Sequence, residues 1–241
     1  MRSPFFSKLD HGPPLVDEDW AKLSAITSTQ RRVGARRDVI CEGDKPDSVH
    51  LVLEGLACRY KILPGGRRQI MALLLPGDFC DLHAAILGAM DHSIATISPC
   101  ILVDISREAI EELTDHHPRI TRALWWSNLV DEAILREWLV SRGGRPAEQR
   151  LAHFFCELLV RMQAVGRAED ASYDLPMTQE DLADAMGLSA VHLNRSLQRL
   201  RTDGLIKLKS RRLTVLDRPT LEALGGFNPN YLRLRKRPRT A

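Results

Sequence analysis

The chain has 241 residues, 44% hydrophobic and 27% charged, with a formal net charge of +3. That is enough apolar content for a sizeable core in two domains, while the longest apolar run, residues 70–75, is too short to span a bilayer and the N-terminus carries no apolar signal core, so a cytoplasmic protein without a membrane partner is expected. Five widely spaced cysteines, Cys41, Cys58, Cys80, Cys100 and Cys156, with no Cys-x-x-Cys pair, exclude a disulfide framework and a local zinc or iron–sulfur motif, and predict buried free thiols. After a loose start, residues 15–26 read as a short amphipathic helix capped by Asp17, with Trp20, Leu23 and Ile26 on its apolar face. From Val33 the period changes. Segments 37–41, 49–53, 56–63, 68–75, 92–96 and 100–106 are short, apolar and rich in β-branched residues, separated by the turn signals EGDKPD, EG, PGG, PGD and SP. Short strands punctuated in this way predict a small antiparallel barrel or roll.

Residues 76–93, PGDFCDLHAAILGAMDHS, join a glycine turn, a one-turn helix and a polar pair. The simpler reading is a loop plugging the end of the roll. The sharper one is a cradle of backbone N–H groups for a small anion. Residues 105–114 then look helical, with Ser106 as cap, and Pro118 suits the first position of a long helix over 118–141. Its Ile120, Leu124, Ile134 and Trp138 stand near coiled-coil spacing, interrupted by Asn128 and Asp131. Packing on the roll and on a second copy of the chain is expected, with Leu124, Ile134 and Trp138 at the dimer interface; a helix wholly buried within one subunit is the competing reading. Gly143, Gly144 and Pro146 read as a hinge, followed by a helix over 147–164. The expected units are therefore a β-roll over 1–117, a dimerisation helix and hinge over 118–144, and a C-terminal unit over 145–241.

That last unit contains residues 178–201, TQEDLADAMGLSAVHLNRSLQRLR, which predict two helices around a tight turn. Thr178 caps the first, ahead of Gln179, Glu180 and Asp181; Gly187 ends it in a left-handed conformation, and Ser189 caps the second. Leu193, Leu197 and Leu200 share one face of the second helix. The other face carries Val191, Asn194, Arg195 and Gln198, flanked by His192 and Arg199, side chains suited to base edges in the major groove. A merely solvated polar face is the competing reading. Residues 205–216 alternate like a strand pair, with Lys207, Lys209, Arg211 and Arg212 around the turn, as a DNA-binding wing would. From Gly187 to Ala241 there are 13 Lys and Arg against 3 Asp and Glu, a balance of +10, whereas the chain up to Arg145 has 18 against 20, or −2. Positive charge gathered in one segment marks a phosphate-binding surface, and the basic tail with Arg233, Arg235, Lys236, Arg237 and Arg239 adds non-specific affinity.

Over residues 20–217 this order of elements resembles the Crp/Fnr family of bacterial transcription regulators, most specifically in LPGDF at 75–79, EQRLA at 148–152 and LADAMGLSAVHLNRSLQRL at 182–200. The resemblance implies an α+β fold, a cyclic-nucleotide-binding-like antiparallel β-roll, a long dimerisation helix and a winged helix-turn-helix. It also implies a homodimer on a palindromic promoter site in double-stranded DNA, with RNA polymerase as a further partner. The departures narrow the effector. Members that bind cyclic AMP carry Gly-Glu-Leu where this chain has Cys80-Asp81-Leu82, Arg-Ser where it has His92-Ser93, and Thr-Ser on the long helix where it has Leu135 and Arg136. A shorter carboxylate and a mostly neutral imidazole argue against cyclic AMP. The candidate effector pocket is thus Asp81, Leu82, His92, Ser93 and Arg136, with no cofactor assigned and the effector unknown.

Oxygen-sensing members carry an N-terminal cysteine cluster, and here no cysteine precedes Cys41. His83 and His92 are weaker candidates for haem ligation, since lone histidines are more often structural. Val191 stands where family members often have a cytosine-reading Glu, and Arg195 matches the family arginine, so a different target sequence is expected. The alternative function is a cyclic-nucleotide-binding regulatory module acting on a protein partner, which predicts an intact pocket and no basic wing. No nucleophile elbow, Walker loop, HExxH or dinucleotide fingerprint supports an enzyme.

Overall fold

The computed structural model describes residues 3–235, so Lys236, Arg237 and Arg239 of the basic tail lie outside the described residues. Two N-terminal helices, α1 (Pro4–Leu9) and α2 (Asp17–Ile26), precede strands β1 (Gln30–Val33), β2 (Asp38–Ile40), β3 (Ser48–Glu54), β4 (Ala57–Ile62) and β5 (Arg68–Leu74). A one-turn helix α3 (Ala84–Leu87) leads to β6 (Ser93–Thr96) and β7 (Cys100–Ser106). All pairings are antiparallel, in two sheets ordered β1-β7-β3 and β2-β6-β4-β5. These are the expected strands plus β1, whose residues QRRV are largely exposed and carry no apolar pattern.

Alternation along β3 shows how the roll is filled. Val49, Leu51 and Leu53 face the helices, in a cluster with Phe5, Leu9, Leu23, Ile110 and Ile120, while Val52 points the other way into a cluster with Ile40, Leu74, Ile94 and Leu102. From Pro4 onward the start of the chain is not loose. Phe5 and Leu9, one helical turn apart on α1, are fully buried. They lie beside the PGD turn, where Gly77 has φ +95° and a Cβ would come within 2.8 Å of the Pro4 carbonyl oxygen, so glycine is required on both counts. Asp17 is not the cap of α2 but its first residue; the Val16 N–H is held instead by the Asp19 carboxylate at 3.0 Å, which also accepts from Arg119 at 2.6 Å.

Ser106 caps α4 (Arg107–His116), accepting from the Ala109 N–H at 3.2 Å, and α5 (Pro118–Gly144) starts at Pro118 as expected. The expected glycine hinge is corrected. Gly143 and Gly144 continue the helix, and the break falls at Arg145 and Pro146 before α6 (Ala147–Ala164). Two short strands, β8 (Ala168–Glu169) and β9 (Ser172–Asp174), then precede α7 (Gln179–Met186), α8 (Ala190–Thr202), β10 (Ile206–Lys209) and β11 (Arg212–Val215). The strands form a sheet ordered β10-β11-β9-β8 beside the two helices, a winged helix-turn-helix. The described chain closes with α9 (Arg218–Gly225) and the 3₁₀ turn Pro229–Leu232.

One apolar cluster runs from Cys58, Ile70 and Leu73 of the roll through Ile134 and Trp138 of α5 and most of α6 to Tyr173, Leu193 and Leu213. The C-terminal unit therefore shares its core with the roll rather than hanging from a free linker. A buried polar network crosses the same joint. Arg161 of α6 bonds Asp78 at 2.8 Å, Glu157 at 3.1 Å and the Leu73 carbonyl at 3.1 Å, and Lys8 of α1 meets Asp78 at 2.6 Å. Burial resists ionisation of Asp78, but Lys8 and Arg161 outweigh it and hold its carboxyl below the usual range. Four of the five cysteines are buried free thiols; desolvation pushes Cys58 and Cys156 up to about 12, which makes them inert at neutral pH. No helix among the described residues is long and apolar enough to cross a membrane.

Candidate nucleic-acid interface and effector pocket

The helix-turn-helix forms through the caps its sequence supplies. The Thr178 hydroxyl accepts from the Asp181 N–H at 3.1 Å while the Asp181 carboxylate accepts from the Thr178 N–H at 2.9 Å, a reciprocal capping box. Gly187 has φ 65° and ψ 36°, the left-handed closure of α7, and Ser189 caps α8 through the His192 N–H at 3.3 Å. With Leu193, Leu197 and Leu200 buried, α8 turns Val191, His192, Asn194, Arg195, Gln198 and Arg199 to solvent. These are the residues expected on the reading face. Their electrostatics differ, however. Arg195 has no ion-pair partner among the described residues, whereas Arg199 meets Glu148 at 3.3 Å. Thr178 is half-buried with its hydroxyl committed to Asp181, and Gln179 is exposed beside it.

The wing is a two-residue hairpin with Lys209 opposite Arg212. Ser210 and Arg211 both have positive φ, +51° and +59°, the signature of a type I′ turn, which usually takes Asn-Gly. Holding two non-glycine residues there costs on the order of 1 kcal/mol each. The turn sets Arg211 at the exposed tip. Arg212 is instead committed to Glu169 at 2.7 Å and Asp174 at 3.1 Å, while Lys207 and Lys209 are exposed with no ion-pair partner among the described residues. The sequence places all four cations around the turn alike; only the neighbouring strands decide between them.

The helix-turn-helix is held onto the roll edge. Arg68 of β5 bridges Asp181 and Asp184 of α7, the latter at 2.8 Å, and Gln69 donates to the Asp184 carbonyl. Arg142 donates to the carbonyls of Ile70 and Ala185, and Arg150 to those of Met186, Arg142 and Arg145. Burial resists ionisation of Asp181, but the Thr178 amide and hydroxyl and the Arg68 guanidinium outweigh it and hold its carboxyl low.

The expected effector residues are not gathered into one cradle. Asp81 is buried against His50, accepting from its N–H and its Nδ1 at 2.7 Å each. Ser93 caps the Glu42 N–H at 2.9 Å, and Arg136 lies on the exposed side of α5 beside Glu132 at 3.2 Å. Leu82 alone of the set lines the cavity of about 590 Å³ between α3, α4 and α5, together with Ile86, Leu87 and Trp125. His92 sits beside His83, ring centroids 5.5 Å apart, with Nδ1 2.7 Å from the Asp91 carboxylate. Burial lowers the pKa of both histidines, with the nearby Arg59 charge adding to it. Arg59, which sequence reasoning missed, bridges β4 to Asp131 of α5 at 2.9 Å and donates to the Phe79 and Cys80 carbonyls.

The dimer-interface residues need correction. Leu124, Ile134 and Trp138 are buried within the chain itself, and the Trp138 indole N–H bonds Glu157 at 3.1 Å. At 100° per residue Ile134 lies opposite the face that exposes Trp125 (65%), Leu129, Leu135 and Leu139 (72%). Both sides of α5 carry apolar residues, and the residues chosen from spacing lie on the side that the chain itself covers.

Known proteins share this arrangement. Residues 30–117 match the family model of a cyclic nucleotide-binding domain, and residues 149–224 that of a Crp-like helix-turn-helix domain. The transcriptional activator protein FnrL of Cereibacter sphaeroides is 29% identical over 83% of this chain and 80% of its own length. The nitrogen fixation regulation protein FixK of Bradyrhizobium diazoefficiens is 29% identical over 86% of this chain and 87% of its own. The structure of FixK2 from Bradyrhizobium japonicum superposes with a TM-score of 0.72 at 25% identity, covering 81% of this chain and 96% of that one. A roll and a winged helix-turn-helix in this order, with relatives matched along most of both chains, identify the chain as a DNA-binding transcription regulator of the Crp/Fnr family.

Proposed function

We propose that the chain works as a homodimer on a palindromic promoter site, reading base edges with Val191, His192, Asn194, Arg195 and Gln198 of α8. The observation that carries this reading is the sorting of cations: Arg195, Lys207, Lys209 and Arg211 stand exposed without ion-pair partners among the described residues, while Arg199 and Arg212 are neutralised within the chain. Thr178, Gln179 and Ser189 sit at helix starts, where backbone N–H groups suit phosphate oxygens. The expected units take separate tasks: the roll up to residue 117 as sensor, α5 as the seam between protomers, and the C-terminal unit from residue 145 as reader. RNA polymerase is the further partner of such a complex.

The roll does not take cyclic AMP in this reading. Asp81, the only carboxylate at the ribose-binding position of the resemblance, is spent on His50, and Arg59 is spent on Asp131. An effector, if small and largely apolar, has the cavity beside Leu82 open to it.

Fluorescence anisotropy on specific and scrambled duplexes tests the reading. Arg195→Ala is expected to cost about 1 to 3 kcal/mol on the specific duplex only, as loss of a bidentate base contact does. Neutralising Lys207, Lys209 and Arg211 together is expected to weaken both duplexes alike and to flatten the salt dependence by roughly 0.9 log-log units for each phosphate no longer neutralised. Equal loss on both duplexes for Arg195→Ala would move the reading face elsewhere. In the same preparation, calorimetry with cyclic AMP is expected to show nothing tighter than about millimolar, near −4 kcal/mol.

A further inference from the structure

Three side chains at the two ends of the segment that runs from the start of α3 to the start of β6 converge in a way neither DNA reading nor roll packing requires. His83 immediately precedes α3, Asp91 and His92 immediately precede β6, and the turn at Gly88, with φ +82°, folds the segment back so that they meet. His92 Nδ1 is 2.7 Å and His83 Nε2 4.0 Å from the same Asp91 oxygen. One ring nitrogen from each histidine and one Asp91 carboxylate oxygen all lie within 4.8 Å of one another. The second observation is the state of the His83 imidazole: its Nε2, the nitrogen nearest the Asp91 carboxylate, is buried and makes no hydrogen bond. A buried ring nitrogen left in this way costs free energy unless something meets it.

We propose that His83, Asp91 and His92 form a mononuclear site for a divalent first-row transition metal ion of the zinc or ferrous-iron type. Two imidazole nitrogens beside one carboxylate suit such ions better than calcium or magnesium, which take oxygen donors. The geometry is within reach. Metal–nitrogen bonds of about 2.0 to 2.1 Å in a tetrahedron set donor atoms roughly 3.3 Å apart, so His83 closes by under 1 Å on its Asp91 partner while the short His92–Asp91 contact opens slightly. Both moves are open to these residues, since the Asp91 side chain is 80% exposed and that of His83 28%. Arg59, the nearest permanent cation, is already balanced by Asp131. Three protein ligands leave a coordination position for water or a further donor. An ion there ties the start of α3 to the start of β6 and so fixes both ends of the segment whose Ile86 and Leu87 line the apolar cavity.

The test uses the full chain without an affinity tag, stripped by chelator and dialysed. Calorimetry with Zn²⁺ is expected to give one ion per chain with micromolar or tighter affinity, and Co²⁺ to develop visible d–d absorption. His83→Ala and Asp91→Ala, both at positions open to solvent, are each expected to weaken Zn²⁺ binding at least about tenfold and to abolish the Co²⁺ spectrum. His116→Ala, which removes a histidine paired with Glu112 on α4, is expected to leave both unchanged. Zn²⁺ is expected to raise the melting temperature of the wild type but not of His83→Ala, a readout independent of DNA binding. Binding weaker than millimolar, or binding untouched by both His83→Ala and Asp91→Ala, overturns the proposal. Far-UV circular dichroism separates loss of the site from loss of the fold.

Discussion

Replacing Arg161 by methionine removes one cation from the joint between roll and α6 while keeping most of the side-chain volume. The guanidinium is only 9% exposed and serves Asp78, Glu157 and the Leu73 carbonyl. Neither carboxylate is stranded by the change: Asp78 keeps Lys8 at 2.6 Å and the Leu75 N–H at 2.8 Å, and Glu157 keeps the Trp138 indole at 3.1 Å and the Tyr231 hydroxyl at 2.8 Å. The cost therefore falls at the low end of the roughly 3 to 5 kcal/mol for breaking a buried pair, about 3 kcal/mol. Against a total stability on the order of 5 to 15 kcal/mol this is a large share. For a chain of this size it lowers the melting temperature by roughly 6 to 12 °C. Urea unfolding followed by tryptophan fluorescence measures it, and the core shared between roll and reader predicts one transition rather than two. Arg161→Met and Asp78→Asn each remove the same direct ion pair, so the double variant is expected to recover at least about 1 kcal/mol relative to additivity. A loss under about 1 kcal/mol, or strict additivity, refutes the reasoning.

The outer face of α5 makes the second prediction: the wild type is a dimer by light scattering at micromolar concentration, and Leu139→Glu, at a 72% exposed position, gives a folded monomer that loses specific DNA affinity. A monomeric wild type sinks it. Acid acts through Asp78 and Asp181, both held below the usual carboxylate range. A depressed folded-state pKa gives stability that is complete above the unfolded value of about 3.9 and is lost as pH falls through the folded one. The melting temperature is thus expected to be flat with respect to these two groups between about pH 5 and 7 and to fall below about pH 4. Asp181→Asn is expected to make that fall shallower, as thermal scans across this range will show.

The elements legible in the sequence are those whose signals are local. Thr178, Gly187 and Ser189 announce their caps by residue type, and Leu193, Leu197 and Leu200 announce a face by spacing, so the helix-turn-helix is readable to the residue. Strands β2 to β7 of the roll are readable because turn signals bracket them, whereas β1, with its exposed QRRV, is not. Nor is anything set by distant partners. Arg212 and Lys209 look alike along the chain, and only Glu169 and Asp174, about 40 positions away, take Arg212 out of service. Asp81 sits where a ligand-binding carboxylate is expected, yet His50, 31 positions earlier, claims it. On α5 apolar residues occupy both faces, so periodicity finds the helix but not which side the roll covers.

Arg150 joins the carbonyls of Arg142, Arg145 and Met186 across the short link between α5 and α6, while Arg68 fastens α7 to β5. A reader braced on two sides has little compliance. In a dimer built on α5, the separation and tilt of the two α8 helices are therefore dictated by the protein, and the duplex has to adjust its curvature to meet them. Bending DNA costs on the order of 1 to 6 kcal/mol over a site of this kind and depends on the steps being bent, least at flexible pyrimidine–purine steps. For the proposed dimer, discrimination among promoters is then expected to extend to the base pairs between the half-sites, through how willingly each sequence bends.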